Sequence, residues 1–235
     1  MHTQTIIKEL VREELVAAGE TKVAVLTSPE NRTFRLEKDA KLILALVFAE
    51  WDDQEHELKV ILDGPGATLS TVGFFIGRLN TFFRYHINVE HRAPFTKGHT
   101  LIRGILTDQS KVDVHGNILI AEGAVQSDAY LRHNTLLLSD KAHSTTTPAL
   151  EILADDVKAG HAATVGKTDA ESLFYLMSRG LSEAEARQTL VDAFITEALI
   201  RIPDPRTREV SEMLVNRALN PKAGGCCGGG CCRGK

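Results

Sequence analysis

Residues 136–166, LLLSDKAHSTTTPALEILADDVKAGHAATVG, carry the pattern that decides how this chain folds. The stretch is apolar, rich in strand-forming residues, and broken by a turn at Ala154-Asp155-Asp156-Val157. Gly160 and Gly166 then bracket a lone histidine, His161. Two segments with helical punctuation follow at once, TDAESLFYLMSRG (168–180) and LSEAEARQTLVDAFITEAL (181–199).

Upstream, short apolar runs recur: KVAVLT from Lys22, KLILALVF from Lys41, ELKVILD from Glu57, HINVEH from His86, TLIRGIL from Thr100, KVDVHG from Lys111 and NILIAEG from Asn117. NTLLLS from Asn134 and ALEIL from Ala149 continue the series. Each is strand-sized, and several alternate apolar with polar residues. Gly, Asp, Asn and Ser, the residues of turns, lie between them. No helical stretch separates the runs, which disfavours a doubly wound α/β fold. A sandwich would use tight Asn-Gly or Asp-Gly hairpins. Only Asp63-Gly64 fits, with His115-Gly116-Asn117 a weaker candidate. A parallel β-helix accounts better for many short strands, although the repeat is too irregular to assign a coil period. Val112, Ile118, Ile120, Leu136 and Leu138 are its candidate interior residues.

The ends read as helical. Ile6, Ile7, Leu10, Val11 and Leu15 fall on one helical stripe that Gly19 ends. Thr168 with Glu171, and Ser182 with Glu185, have capping-box spacing. Asp204-Pro205 marks a third helix start. The expected order is an N-terminal helix over 1–20, a β-helix core over 21–166, a helical cap over 167–220 and a Gly/Cys-rich disordered tail over 221–235. The helices are expected to cover the open edges of the solenoid.

Composition narrows the functional classes. The chain has 235 residues, 43% of them apolar, with 27 Lys and Arg against 31 Asp and Glu and a net charge of −4. That balance gives no electrostatic reason for a nucleic-acid or anionic-membrane partner. No apolar run reaches the roughly 18 residues of a membrane span, and charges interrupt the N-terminal region where a secretory signal would need an apolar stretch. Cysteine is absent from Met1 to Ala223, which fits a cytoplasmic location. All four cysteines, Cys226, Cys227, Cys231 and Cys232, fall in the tail. Thiolates favour soft metals, but adjacent cysteines strain a tetrahedral site, so an appendage is the preferred reading. The chain has no GxxxxGK[ST] sequence and is not expected to bind ATP.

From His91 to Leu199 the words HRAPFTKG, IRGILTDQSKVDVHGNILI, GAVQSDAYLRHNTLLLSD, PALEILADDVKAGHAATVGKTD and LFYLMSRGLSEAEAR run in an order that resembles the SufB/SufD family, its SufD branch in particular. These are scaffold proteins of iron–sulfur cluster assembly. The part ahead of His91 is less diagnostic and shorter than the helical N-terminal region usual in the family. The resemblance implies a right-handed parallel β-helix and a non-catalytic scaffold role. It also implies a SufC-like ABC ATPase recruited through the C-terminal helices, and pairing with a SufB-like scaffold or a second copy of this chain. An iron–sulfur cluster or iron would be held transiently. Where the SufB branch has cysteine, this chain has Ala142. Where that branch flanks its histidine with glutamates, this chain has Gly160 and Ala162 around His161. A cysteine frequent in SufD members is Ala159 here.

His161 is therefore the candidate iron or cluster ligand, weighed against a histidine that only holds a turn. His133 and His143 are read as solvated loop histidines. Phe174, Arg179, Arg187 and Phe194 are candidate partner-binding residues on the helices, set against simple packing on the end of the solenoid. Two other functional classes stay open. One is a β-helix carbohydrate-active enzyme using Asp155 and Asp156 as a carboxylate pair, opposed by the turn-forming role of aspartate. The other is a metal-free interaction module.

Overall fold

A computed structural model describes residues 12–50 and 54–220. The chain begins with β1 (Arg12–Val16), β2 (Thr21–Leu26), β3 (Arg32–Leu36) and β4 (Lys41–Phe48). It continues through β5 (Glu55–Leu62), β6 (Thr68–Gly77), β7 (Phe82–His91) and β8 (Lys97–Leu106). The last strands are β9 (Lys111–Ile120), β10 (Asp128–Leu137), β11 (His143–Ile152) and β12 (Lys158–Lys167). Three helices follow, α1 (Ala170–Ser178), α2 (Glu183–Leu199) and α3 (Pro205–Leu219).

Odd-numbered strands form one six-stranded sheet in the order β1-β3-β5-β7-β9-β11, and even-numbered strands form a second in the order β12-β10-β8-β6-β4-β2. Every pairing is parallel. The chain therefore winds as a parallel β-helix with two strands per coil. β6, β8, β10 and β12 start at Thr68, Lys97, Asp128 and Lys158, so a coil takes about 30 residues.

The corner leading into the even-numbered strands repeats in backbone rather than in sequence. Asp39, Gly66, Phe95, Gln126 and Asp156 all have left-handed φ, between 51° and 76°. Each amide but the last donates to the coil below: Asp39 to Pro65, Gly66 to Pro94, Phe95 to Val125 and Gln126 to Asp156, at 2.8–3.2 Å. Of these five corners only Gly66 is the residue that adopts this φ without steric cost. The stacked hydrogen bonds hold the other four there.

Apart from Ile61 of β5, strands of the odd-numbered sheet bury residues on one face only. Phe83, Tyr85, Ile87 and Val89 of β7 and Val112, Val114, Ile118 and Ile120 of β9 point into the coil. Phe48 and Phe75 from the even-numbered sheet meet Phe83 and Tyr85 there, with ring centroids 5.3–6.1 Å apart. The even-numbered sheet is buried on both faces through β4, β6 and β8, as near-continuous apolar runs such as LILALVF require. Its outward residues Ala45, Val47, Val72, Phe74, Ile76, Leu101 and Ile105 meet Val191, Ile195, Ala198 and Leu199 of α2, then Ile202 and Val215. The helices thus lie across a sheet face rather than over the end of the solenoid, because that face would otherwise leave a broad apolar surface in water. Leu136 and Leu138, expected in the interior, face this helical layer instead. Val112, Ile118 and Ile120 are interior as expected.

Two local expectations are corrected. Arg12–Val16 is a strand, not part of a helix: it pairs with β3 from Arg12↔Arg32 to Val16↔Leu36, and Val16 is buried in the first coil. Pairing and burial here override a helical spacing that is only local. Residues 17–20 form the turn into β2, and residues 1–11 of that expected helix lie outside the described residues, as do Cys226, Cys227, Cys231 and Cys232. The cap of α1 is Asp169, whose carboxylate accepts from Ser172 N at 2.8 Å, and not Thr168. The Ser182–Glu185 capping box and the Asp204 cap before Pro205 are present.

His91 and His133 are among the histidines buried inside the coil, contrary to the solvated reading of His133. His133 Nδ1 meets Thr146 Oγ1 at 2.9 Å and its Nε2 meets Thr135 Oγ1 at 3.2 Å. His91 Nδ1 meets Thr96 Oγ1 at 2.8 Å. Burial pushes the pKa of each down to about 4. Both are neutral in the fold, whereas in the unfolded chain they take up protons below an ordinary value near 6.5. Their contribution is complete above pH 6.5 and is lost as the pH falls from 6.5 to 4. Between those limits stability should drop by about 1 kcal/mol per pH unit per histidine. Urea unfolding at pH 7 and pH 5 tests this, and His133→Gln should flatten the slope. A slope unchanged by the substitution would rule out His133 as its source.

Candidate functional site

β11 and β12 close the two sheets at one end of the solenoid, and no described strand lies beyond them. β12 is largely exposed, and β11 carries Pro148, a residue tolerated on edge strands because it has no amide to donate. Two strand edges with unpaired backbone groups stand side by side here.

His161 lies on β12. It is in register with Leu131 of β10, and through it with Thr100 and Thr71. Leu131 belongs to the interior cluster, so His161 stands on the interior-facing row of the last coil. With no coil below, it is exposed. Ala163 and Val165 continue this row. Gly160 is small for a specific reason: a Cβ there would come 2.9 Å from the Tyr130 ring. His143 begins β11 and is exposed. No group of three or more His, Cys, Asp or Glu side chains able to hold a metal occurs among the described residues. Ala142 and Ala159 supply no thiol at this end.

Asp155 and Asp156 form the corner before β12, where Asp156 takes left-handed φ and its carbonyl accepts from Gln126. That is the structural use of an Asp pair in a turn.

The partner-binding candidates separate. α1 buries none of its residues, and Phe174 is 73% exposed. Arg179 lies over the exposed ring of Tyr175 with 5.1 Å to its centroid. Arg187 is exposed and pairs with Glu183 at 2.7 Å while also reaching Thr168. Phe194 is different, because it is half-buried beneath Arg103, which stacks on its ring at 4.4 Å. Phe194 therefore belongs to the joint between helix and sheet.

Sequence reasoning missed that joint. Arg103 interrupts the apolar run TLIRGIL, is buried to 5% exposure and pairs with Glu197 of α2 at 2.7 Å. A lone arginine in such a run was the available signal, since a buried guanidinium needs a partner. Also missed was a cleft of about 580 Å³ on the outer face of the even-numbered sheet, lined by His99, Tyr130, Arg132, Gly160, His161 and Arg201 among others.

Several known proteins are similar to this chain in sequence. The family described as "SUF system FeS cluster assembly, SufBD core domain" matches residues 21–194. The chain is 35% identical over 147 residues to the iron-sulfur cluster assembly protein SufD of Escherichia coli, covering 61% of this chain and 35% of that protein. It is 31% identical over 166 residues to SufD of Bacillus subtilis, covering 71% of this chain and 38% of that protein. A SufBD family protein of Pyrococcus horikoshii is 38% identical over 151 residues, or 64% of this chain and 33% of the relative. The chain thus aligns with only about a third of the length of these relatives. No described helix is long and apolar enough to cross a membrane. A two-sheet parallel solenoid carrying the matched core identifies this chain as a member of the SufBD family of the SUF iron–sulfur cluster assembly system.

Proposed function

We propose that this chain is a non-catalytic scaffold subunit that joins a SufB-like partner, or a second copy of itself, along the β11 and β12 edges. The observation that carries this reading is the position of His161, exposed on the last strand at the open end of the solenoid. An added strand would satisfy the free backbone groups of that edge and cover the interior row. The neutral imidazole of His161 would then offer its lone pair to iron or a nascent cluster, with thiolates coming from across the junction. A SufC-like ATPase would dock on the exposed face formed by Phe174, Tyr175, Arg179 and Arg187, and the nucleotide would be held by that partner. Its closure would pull on α1 and α2 and, through the Arg103–Glu197 joint, on the sheet that ends in β12.

His161→Ala in the reconstituted complex should abolish most cluster formation, read as iron and sulfide per complex. The unfolding midpoint should barely move, since an exposed ring buries little apolar area. Unchanged cluster yield with the complex intact would refute the ligand role, and an unfolded variant would assign His161 to the strand instead.

A further inference from the structure

The cleft beside His161 is cationic, in a chain whose net charge is −4. Arg132 and Arg201 line one part of it, and Arg103 lies close enough to feel both of their charges. Among the described residues one carboxylate answers these three guanidiniums. It is Glu197, 2.7 Å from Arg103 and 4.0 Å from Arg201. No described carboxylate pairs with Arg132, whose side chain is exposed at the end of the sheet. The lining also carries two aromatic rings: His99 and Tyr130 meet edge to face with centroids 5.5 Å apart. Asp128 Oδ1 holds His99 Nε2 at 3.1 Å, and Tyr130 lies close over Gly160, where any Cβ would displace it. The aromatic wall is thus braced from two sides.

We propose that this cleft binds a small organic oxyanion, a carboxylate or phosphate carried on a compact body. Its charge pairs with Arg132 and Arg201, and its body lies against Tyr130 and His99. Guanidinium forks suit both anions because they offer parallel N–H donors to two oxygens at once. Like charges held together on a scaffold repel, so an anion between them gains more than it would at a lone arginine. The volume of about 580 Å³ is that of a small-molecule site rather than a protein groove. The proposal does not depend on His161 binding iron.

Isothermal titration calorimetry of the full chain with citrate and with inorganic pyrophosphate, at low salt, tests it. At least one probe should bind saturably at one site, and Arg132→Gln with Arg201→Gln should weaken it tenfold or more. Arg84→Gln, an exposed arginine on the other sheet, should leave the affinity unchanged, which separates this site from general surface charge. Both arginines are exposed, so circular dichroism should show the double variant folded, and the single Arg132→Gln serves if it is not. Preference for citrate would identify a carboxylate ligand, and preference for pyrophosphate a phosphate. Failure of both probes to saturate at about 10 mM, a concentration that detects even weak sites, would overturn the proposal. So would binding that ignores the arginine substitutions.

Discussion

Phe75→Ala should cost about 3–5 kcal/mol, the range for removing a fully buried phenylalanine. Phe75 stacks on Phe48 at 5.4 Å and meets Phe83 and Tyr85 edge-on at 5.3 and 5.6 Å. These rings come from three strands, β4, β6 and β7, on both sheets, so no single strand can close the gap by moving alone. Aromatic contacts add to the loss of buried area. Against a typical domain stability of about 5–15 kcal/mol, the loss leaves a fold close to its threshold. Urea denaturation should show the midpoint falling sharply at pH 7. A shift equivalent to less than about 1 kcal/mol would mean that the coil collapses around the cavity more easily than close packing allows.

Ending the chain after Thr168 should have a larger effect, namely loss of soluble protein. It would expose Val47, Val72, Phe74, Ile76, Leu101 and Ile105 on one sheet face. A contiguous apolar patch on a parallel sheet is an aggregation surface. Ile195→Asp probes the same interface without removing anything. Ile195 is 4% exposed, and an aspartate there would face this apolar layer. The cost should be several kcal/mol, with a lowered unfolding midpoint or aggregation. A truncated chain that stays soluble and keeps its β-sheet circular dichroism would show that the helices are dispensable to the solenoid. In that case they would serve docking alone.

The two predictions rest on parts of the molecule that differed in legibility. The alternating pattern of β9, KVDVHGNILI, was readable as half-buried strand, and its Val112, Ile118 and Ile120 are interior. Starts of α2 and α3 were readable because caps are local: a side chain meets an amide within its own first turn. The coil period was not readable. Its corners are Asp39, Gly66, Phe95, Gln126 and Asp156, five positions with one backbone shape and four residue types. Neighbouring coils hold that shape through amide-to-carbonyl bonds, which leave no trace in side-chain chemistry.

For the site the division is similar. His161 could be singled out from its motif, but its place on the interior row of an open edge depends on the register Leu131↔His161 and on the absence of any described strand beyond β12. The cleft beside it joins Arg132 of β10 to Arg201, which follows α2, residues nearly seventy positions apart. Composition and local pattern determined a β-solenoid with capped C-terminal helices and one conspicuous histidine, because strand alternation and capping act over a few residues. Tertiary structure alone decided which face of the solenoid the helices cover, that Arg12–Val16 is strand, and what surrounds His161. Those outcomes depend on burial and pairing between distant segments, and the free energy of such contacts exceeds local preference.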